Sequence, residues 1–181
     1  DIVEDEIVVQ ADDDVVDVLT MTGISPQSIR DPDDVRQILE NAAEGALNSG
    51  ARLFGFGQSA DVKAYYSYQP VRLNGWVGSV FGIIGRDVRY DLRFTLRDDI
   101  DYCLQHLLKH RIVWQDMRFH FRTVGRFVAP GGNAVNRSHE QELREMALLK
   151  AKWGQYVRFG HRPSGSKATQ TALAVKRAWP D

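Results

Sequence analysis

Ten consecutive residues, from Val88 to Arg97, alternate strictly between apolar and polar side chains, and this pattern restricts the fold more than any other. Its apolar members are Val88, Tyr90, Leu92, Phe94 and Leu96. Its polar members are Arg89, Asp91, Arg93, Thr95 and Arg97. A period of two is typical of a β-strand with one buried face and one face in water. The segment therefore predicts a strand in a sheet that is covered on one side.

A second alternating segment runs from about Val113 to Thr123 and predicts a partner strand. There the apolar residues Met117, Phe119 and Phe121 alternate with Arg118, His120 and Arg122. Shorter strands are predicted at Arg52 to Phe56 and at Val62 to Tyr68. The glycine-rich stretch from Leu73 to Ile84 fits either a buried strand or a short buried helix.

Helical spacing and capping residues predict the helices. They are expected after Asp14, from Asp31 to Gly50, from Asp98 to Arg111, from Ser138 as far as Phe159, and from Thr169 to Trp179. The order of elements favours an α+β fold, in which an antiparallel, meander-like sheet of about five to six strands carries three or four helices mainly on one face.

The length of 181 residues fits a single domain. We expect residues 1–14 to form an acidic, loose segment with a short apolar stretch at Ile7 to Val9, and residues 15–181 to form the globular domain. The single cysteine, Cys103, allows no internal disulfide and favours a reducing compartment. No apolar run reaches the roughly 18 residues that span a bilayer. Because the chain begins at Asp1, a signal peptide cannot be assessed, and the expected location is a cytoplasm in which the protein is made or into which it is delivered.

Charge is distributed unevenly along the chain. Residues 1–84 contain 14 acidic and 5 basic residues, whereas residues 85–181 contain 10 acidic and 18 basic residues. Such a split suggests that the basic half binds nucleic acid or another polyanion. It is also consistent with contact between the two halves, or between the acidic part of one copy and the basic part of the next.

The two alternating segments would place a group of cationic side chains together if their strands share a sheet with matching faces. The predicted anion-binding residues are Arg89, Arg93, Arg97, Arg118 and Arg122. Arginine binds phosphates and carboxylates through planar, bidentate contacts. The alternative is a solvated sheet face, or a face covered by the acidic N-terminal region.

His120 is the best candidate for acid–base chemistry because it lies among these arginines, and Asp91 is a candidate base. A metal-independent phosphodiesterase could use His120 while Arg118 or Arg122 holds the phosphate. An ordinary surface histidine is the alternative. Asp87 and Asp91 are separated by roughly 13 Å on a strand, too far for a glycosidase dyad.

Neither a metal nor a cofactor is expected. His106 and His110 are spaced four residues apart on a helix and could share an ion only with ligands from elsewhere. Cys103 and His110 are roughly 10 Å apart along the helix axis, too far to share one ion. Cys103 is therefore expected in the core.

Two classes of function remain open. The first is a phosphate- or nucleic-acid-directed domain, such as the nuclease- or phosphodiesterase-like part of an effector or toxin. The second is a structural or assembly subunit of a virion or a secretion machine, whose copies join acidic N-terminal and basic C-terminal surfaces.

Overall fold

The computed structural model describes residues 6–124, 138–161 and 169–173. Its helices are α1 (Pro32–Ser49), α2 (Asp98–His110) and α3 (His139–Trp153). Its strands are β1 (Ile7–Ala11), β2 (Val15–Thr20), β3 (Gln27–Ile29), β4 (Leu53–Phe56), β5 (Val71–Arg72), β6 (Val80–Ile84), β7 (Trp114–Asp116), β8 (Phe119–Thr123), β9 (Val157–His161) and β10 (Thr169–Leu173).

The strands form a five-stranded sheet in the order β1-β6-β4-β7-β5, a three-stranded sheet in the order β3-β2-β8, and the pair β9-β10. The expected α+β class is confirmed. The expectation of a purely antiparallel meander is wrong, because β4 and β7 pair in parallel. The chain between them passes through β5, β6 and α2, which is long enough for the crossover that parallel pairing requires.

The five-stranded sheet is covered on both faces: α2 and α3 pack on one face and α1 packs on the other, whereas the sequence predicted helices mainly on one face. One core contains Leu53 of β4 with Leu104 of α2 and Leu149 of α3. The other core contains Phe54, the next residue of β4, with buried residues of α1 and of the three-stranded sheet. Successive residues of a strand point to opposite faces, so the two cores lie on opposite sides of the sheet.

Local capping explains where the helices begin and end. Asp31 accepts a hydrogen bond from the backbone N–H of Asp33 at 2.9 Å, and Gly50 ends α1 in the left-handed region at φ 78°. Ser138 likewise accepts from the N–H of Gln141 at 3.0 Å at the start of α3. Helix α3 ends at Trp153, earlier than the sequence suggested, and strand β9 follows from Val157.

The segment from Val88 to Arg97 is not a strand, which is the largest correction to the sequence-based prediction. Val88 and Phe94 are buried as their pattern implies, whereas Leu92 is 90% exposed. A turn replaces the ladder: the N–H of Phe94 donates to the carbonyl of Asp91, and the Asp91 side chain accepts from the N–H of Arg93. Such local hydrogen bonds from aspartate compete with sheet pairing.

Four shorter predictions change as well. The strand expected from Val113 to Thr123 is divided by a turn into β7 and β8, which belong to different sheets. The helix expected after Asp14 is strand β2, in agreement with its valine-rich sequence. The strand expected from Val62 to Tyr68 is a short 3-10 turn at Val62–Ala64, capped by Asp61, followed by irregular chain. The helix expected from Thr169 begins instead as β10, and its remainder lies outside the described residues. Within residues 1–14, Ile7–Ala11 forms β1 at one edge of the main sheet. Within the described ranges, no helix is long and apolar enough to cross a membrane.

Candidate functional site

The imidazole ring of His120 is fixed at one nitrogen. Its Nδ1 lies 2.7 Å from the carbonyl oxygen of Gly57. A carbonyl oxygen only accepts hydrogen bonds, so Nδ1 carries the hydrogen, and Nε2 is the acceptor nitrogen of the neutral ring. No residue in the described part of the chain forms a hydrogen bond with Nε2. The ring is therefore oriented, while its second nitrogen remains available to a ligand.

His120 contributes to a pocket of about 190 Å³. The lining residues come from the end of β4, the segment before β6, and β8. The polar ones are Gln58, Ser79, His120 and Thr123. The aromatic ones are Phe56, Trp76 and Phe121. The lining therefore brings polar and aromatic side chains together beside the His120 ring.

Backbone hydrogen bonds around Gly57 hold this site together. The N–H of Gly57 donates to the carbonyls of Asp116 at 3.0 Å and Phe119 at 2.9 Å, which ties the end of β4 to the β7–β8 turn. The buried Asp116 side chain accepts from the N–H of Arg118 at 3.0 Å and so shapes this turn. The position of the His120 ring is thereby set by backbone from both sheets.

Gln58 forms another fixed wall. Its amide nitrogen donates to the carbonyl of Phe56 at 2.8 Å. Gly78 lies close to this amide, because a Cβ atom added at Gly78 would meet the end of the Gln58 side chain unless that side chain moved.

The two arginines next to His120 are both paired with aspartates. Arg122 lies two residues along β8, on the same strand face, and its Nη2 donates to Asp17 Oδ2 of β2 at 2.9 Å. The Ser28 hydroxyl, together with Arg122, holds the pKa of Asp17 below its ordinary value. Arg118 forms a bidentate pair with Asp116, with distances of 3.0 and 2.7 Å.

Tyr65 lies close enough to Arg118 to act on its charge. Asp116 chiefly, and Tyr65 as well, raise the pKa of Arg118. Tyr66 and Tyr68, which follow Tyr65 in the sequence, are 45% and 82% exposed, and their ring centroids are 5.5 Å apart. The segment after the 3-10 turn therefore carries exposed aromatic surface.

The other predicted anion-binding residues do not join this site, because the strand that was expected to carry them does not form. Arg93 pairs with Asp91 through contacts of 2.8 and 2.6 Å. Arg97 is buried at the start of α2, and its N–H donates to Glu145. The carbonyl of Arg89 accepts from Gln105 of the same helix. The predicted single face of arginines is thus divided between the β7–β8 region, with Arg118 in the turn and Arg122 in β8, and the segment before α2.

Asp91, the predicted base, is surrounded by cations. Arg93 and Lys152 donate to its carboxylate and hold its pKa well below the usual range. A carboxylate held in its charged form is a poor proton acceptor. Its partners belong to the α2–α3 side of the molecule, and none of them contacts His120 within the described chain.

His106 and His110 belong to a packed row of rings on α2. The Tyr102 and His106 rings are 4.7 Å apart, and the His106 and His110 rings are 5.6 Å apart. Burial lowers the pKa of His106 to about 4 and also lowers that of His110. Among the described residues, no group of three or more metal-ligating side chains is arranged to hold an ion. Cys103 is fully buried, which raises its pKa.

Sequence reasoning identified His120, which lines the pocket, and its neighbours Arg118 and Arg122, but it missed the pocket residues outside β8. Gln58 and Trp76 gave no local signal, because they are far from His120 in sequence. The one available sign was that Gln58 is a polar residue two positions after the end of the buried strand β4. Comparison of the chain with protein-family models, with curated proteins and with solved structures gives no significant match.

Proposed function

We propose that this chain is a phosphate-directed domain of the nuclease or phosphodiesterase type, in which His120 transfers protons. The observation that carries the proposal is the half-satisfied ring: Nδ1 is bound to the Gly57 carbonyl and Nε2 is left for a ligand. Histidine is the residue type best suited to proton transfer near neutral pH. A carbonyl fixing the far side of the ring keeps the proton-accepting nitrogen in one orientation.

Arg122 is the phosphate-binding residue in this proposal. It lies roughly 7 Å along the strand from His120, within reach of a phosphate that contacts both side chains. A guanidinium has five N–H donors, and the contact with Asp17 uses one of them. The side chain is 53% exposed, so the remaining donors are accessible. Arg118 offers a second, more strongly paired guanidinium.

Aromatic side chains supply the contacts that a nucleic acid requires beyond its phosphates. Trp76 lines the pocket and is only partly buried, and Tyr66 and Tyr68 expose their rings. Bases stack on such rings with little sequence preference, which is typical of single-strand binding. The pocket, at about 190 Å³, suits one chemical group of a strand more than a whole drug-sized ligand.

The chemistry needs one proton shuttle. His120 Nε2 takes the proton of an attacking hydroxyl as its oxygen bonds to phosphorus, and returns it to the leaving oxygen as the second P–O bond breaks. On RNA the attacking group is the adjacent 2′-hydroxyl, and the products carry a 2′,3′-cyclic phosphate and a free 5′-hydroxyl. DNA has no 2′-hydroxyl, so we expect DNA to be bound but left uncut.

Binding and cleavage of short single-stranded RNA and DNA test this function. Fluorescence anisotropy across a salt series gives the affinity and its salt slope, and a gel assay with a chelator present gives cleavage. We expect His120→Gln to retain binding and lose cleavage. We expect Arg122→Gln to weaken binding and to reduce the salt slope by about 0.7.

Arg93→Gln is the matched control, because Arg93 is also an exposed arginine paired with an aspartate, but it lies on the α2–α3 side. It is expected to leave affinity and cleavage unchanged. Absence of any salt-dependent binding would refute the phosphate-directed function. Binding without cleavage of RNA would refute the hydrolase and leave a binding domain.

A further inference from the structure

Strand β1 leaves one complete edge of the main sheet open. The N–H of Asp12 donates to the carbonyl of Ser79, and the N–H of Gly85 donates to the carbonyl of Glu6. In an antiparallel ladder, every second residue points its backbone groups toward the partner strand. The residues between these pairs, Ile7, Val9 and Ala11, therefore direct their N–H and C=O groups away from β6. Within the described residues, no strand pairs with this side of β1.

The side chains of β1 offer no protection against a further strand. Ile7, Val8 and Val9 are 37%, 46% and 43% exposed, so both faces of the strand display apolar surface. Edges of monomeric proteins are usually interrupted by charge, proline, a bulge or very short length. The opposite edge of this sheet follows that rule, because β5 has only two residues and one of them is Arg72.

We propose that β1 pairs antiparallel with β1 of a second copy, which joins two five-stranded sheets into one continuous sheet. The pairing uses the outward backbone groups of Ile7 and Val9: Ile7 of each copy lies opposite Val9 of the other and exchanges two hydrogen bonds with it. Val8 then lies opposite Val8 of the second copy, with the two-fold axis between them. The strand is complementary to itself, which a symmetric two-fold contact requires.

The neighbouring register, centred on Val9, would also align the outward groups, but it would place Val8 opposite Gln10 of the second copy. Charged substitutions at Val8 face each other across the two-fold axis only in the proposed register, so they distinguish the two registers. Like charges directly opposite each other destabilise a sheet. The contact is small, so we expect a weak dimer that depends on protein concentration.

Sedimentation velocity over a concentration series tests the proposal, with circular dichroism to verify that each variant is folded. Val9→Pro removes an outward N–H and leaves the β1–β6 ladder complete, so we expect it to weaken association at least about tenfold. Val8→Lys and Val8→Glu place like charges across the axis, and each is expected to be monomeric. A mixture of these two variants is expected to associate again, because the lysine of one copy then faces the glutamate of the other.

Val16→Lys is the matched control, since Val16 is an exposed valine outside β1, and it is expected to associate like the wild type. A monomer at every concentration would overturn the proposal. Association that survives both Val9→Pro and Val8→Lys would also overturn it. If that association is lost at high salt, the copies are joined through acidic and basic surfaces instead. His120→Gln is expected to dimerise normally, so the result is independent of the proposed function.

Discussion

His120 and a cluster of four polar side chains on the opposite side of the main sheet differ in how completely their polar atoms are paired. On one side, His120 has one fixed nitrogen and one available nitrogen beside a pocket. On the other side lies the α2–α3 polar cluster, which consists of Asp91, Asp101, Glu145 and Lys152. Each member of this cluster has several partners within the chain. Complete pairing points to a role in the fold, whereas an oriented and half-paired group points to a ligand.

Glu145 shows how such a cluster stabilises the fold. Its buried carboxylate accepts from the N–H groups of Thr95, Leu96 and Arg97 at 3.1, 2.9 and 3.1 Å. These groups precede α2, so a residue of α3 satisfies backbone donors at the start of another helix. Hydrogen bonds from Thr95 and Gln141 help to keep the pKa of Glu145 below its ordinary value despite burial.

Lys152 joins the remaining members of the cluster. Its Nζ lies 2.7 Å from Asp91 Oδ2 and 2.7 Å from Asp101 Oδ1. The indole N–H of Trp153 donates to the same Asp101 oxygen at 2.7 Å. The irregular segment around Asp91 is thereby attached to both helices, which explains how it stays ordered without strand pairing.

Among the variants that test the difference between the two sides, Glu145→Ala is expected to have the largest effect. It leaves three backbone N–H groups without their acceptor, and we expect a loss of about 3–5 kcal/mol in the free energy of unfolding. Urea denaturation measures it, with the exposed Glu140→Ala as the control expected to change by less than about 0.5 kcal/mol. Nucleic-acid affinity of the folded fraction is expected to stay unchanged. A loss of nucleic-acid affinity in the folded protein would show that the two sides do not act separately.

The next effect depends on pH and concerns His106. Its pKa is about 4 in the folded protein and 6.5 ordinarily, so the unfolded chain binds a proton first as the pH falls. The contribution of His106 to the free energy of unfolding is fully present above pH 6.5 and decreases as the pH falls to about 4. The total loss for this group is about 3 kcal/mol. His106→Phe is expected to remove this part of the acid sensitivity. Denaturation at neutral and acidic pH for both proteins measures the difference, and equal pH dependence would contradict it.

A smaller effect is expected from Asp17→Asn, which frees Arg122 from its carboxylate. We expect nucleic-acid affinity to rise by about threefold to tenfold, with a stability change under about 1 kcal/mol because the pair is on the surface. Asp91→Asn frees Arg93 in the same way and is expected to destabilise the protein without raising affinity. If the anisotropy assay showed that Asp91→Asn raises the affinity and Asp17→Asn does not, anion binding would lie on the α2–α3 side.

The smallest effect on stability is expected from His120→Gln. The ring is only partly buried and makes one hydrogen bond, so we expect a change within about 1 kcal/mol while RNA cleavage is lost. Thermal unfolding and the cleavage assay measure the two properties. A large destabilisation would show that His120 stabilises the fold, as Glu145 is expected to do, and would remove the difference between the two residues.

The helices were predictable because their signals are local. Asp31, Gly50 and Ser138 cap within a few residues of themselves, and the apolar stripe of α2 is visible in the sequence. The Val88–Arg97 pattern led to a wrong prediction because a period of two indicates only alternating burial, whereas a strand also requires a neighbouring strand with which it pairs. Here Asp91 forms a local turn, and α2 and α3 supply the apolar contacts.

The candidate site was predictable only in part for a related reason. His120 stands out within β8, but its fixing carbonyl belongs to Gly57 and its arginine neighbour is paired with Asp17, both distant in sequence. No local pattern reports which of several arginines will find a carboxylate. That information resides in the pairing of β2 with β8 and of β4 with β7.

The central claim is that the available nitrogen of His120 meets the ligand. Nitrogen-detected NMR of the histidine rings during titration with a short single-stranded DNA, which the protein is expected to bind without cutting, tests it most directly. We expect the Nε2 signal of His120 to shift with binding, while Nδ1 stays hydrogen-bonded and the His106 ring is unaffected. Saturable binding that leaves the His120 signals unchanged would contradict the claim.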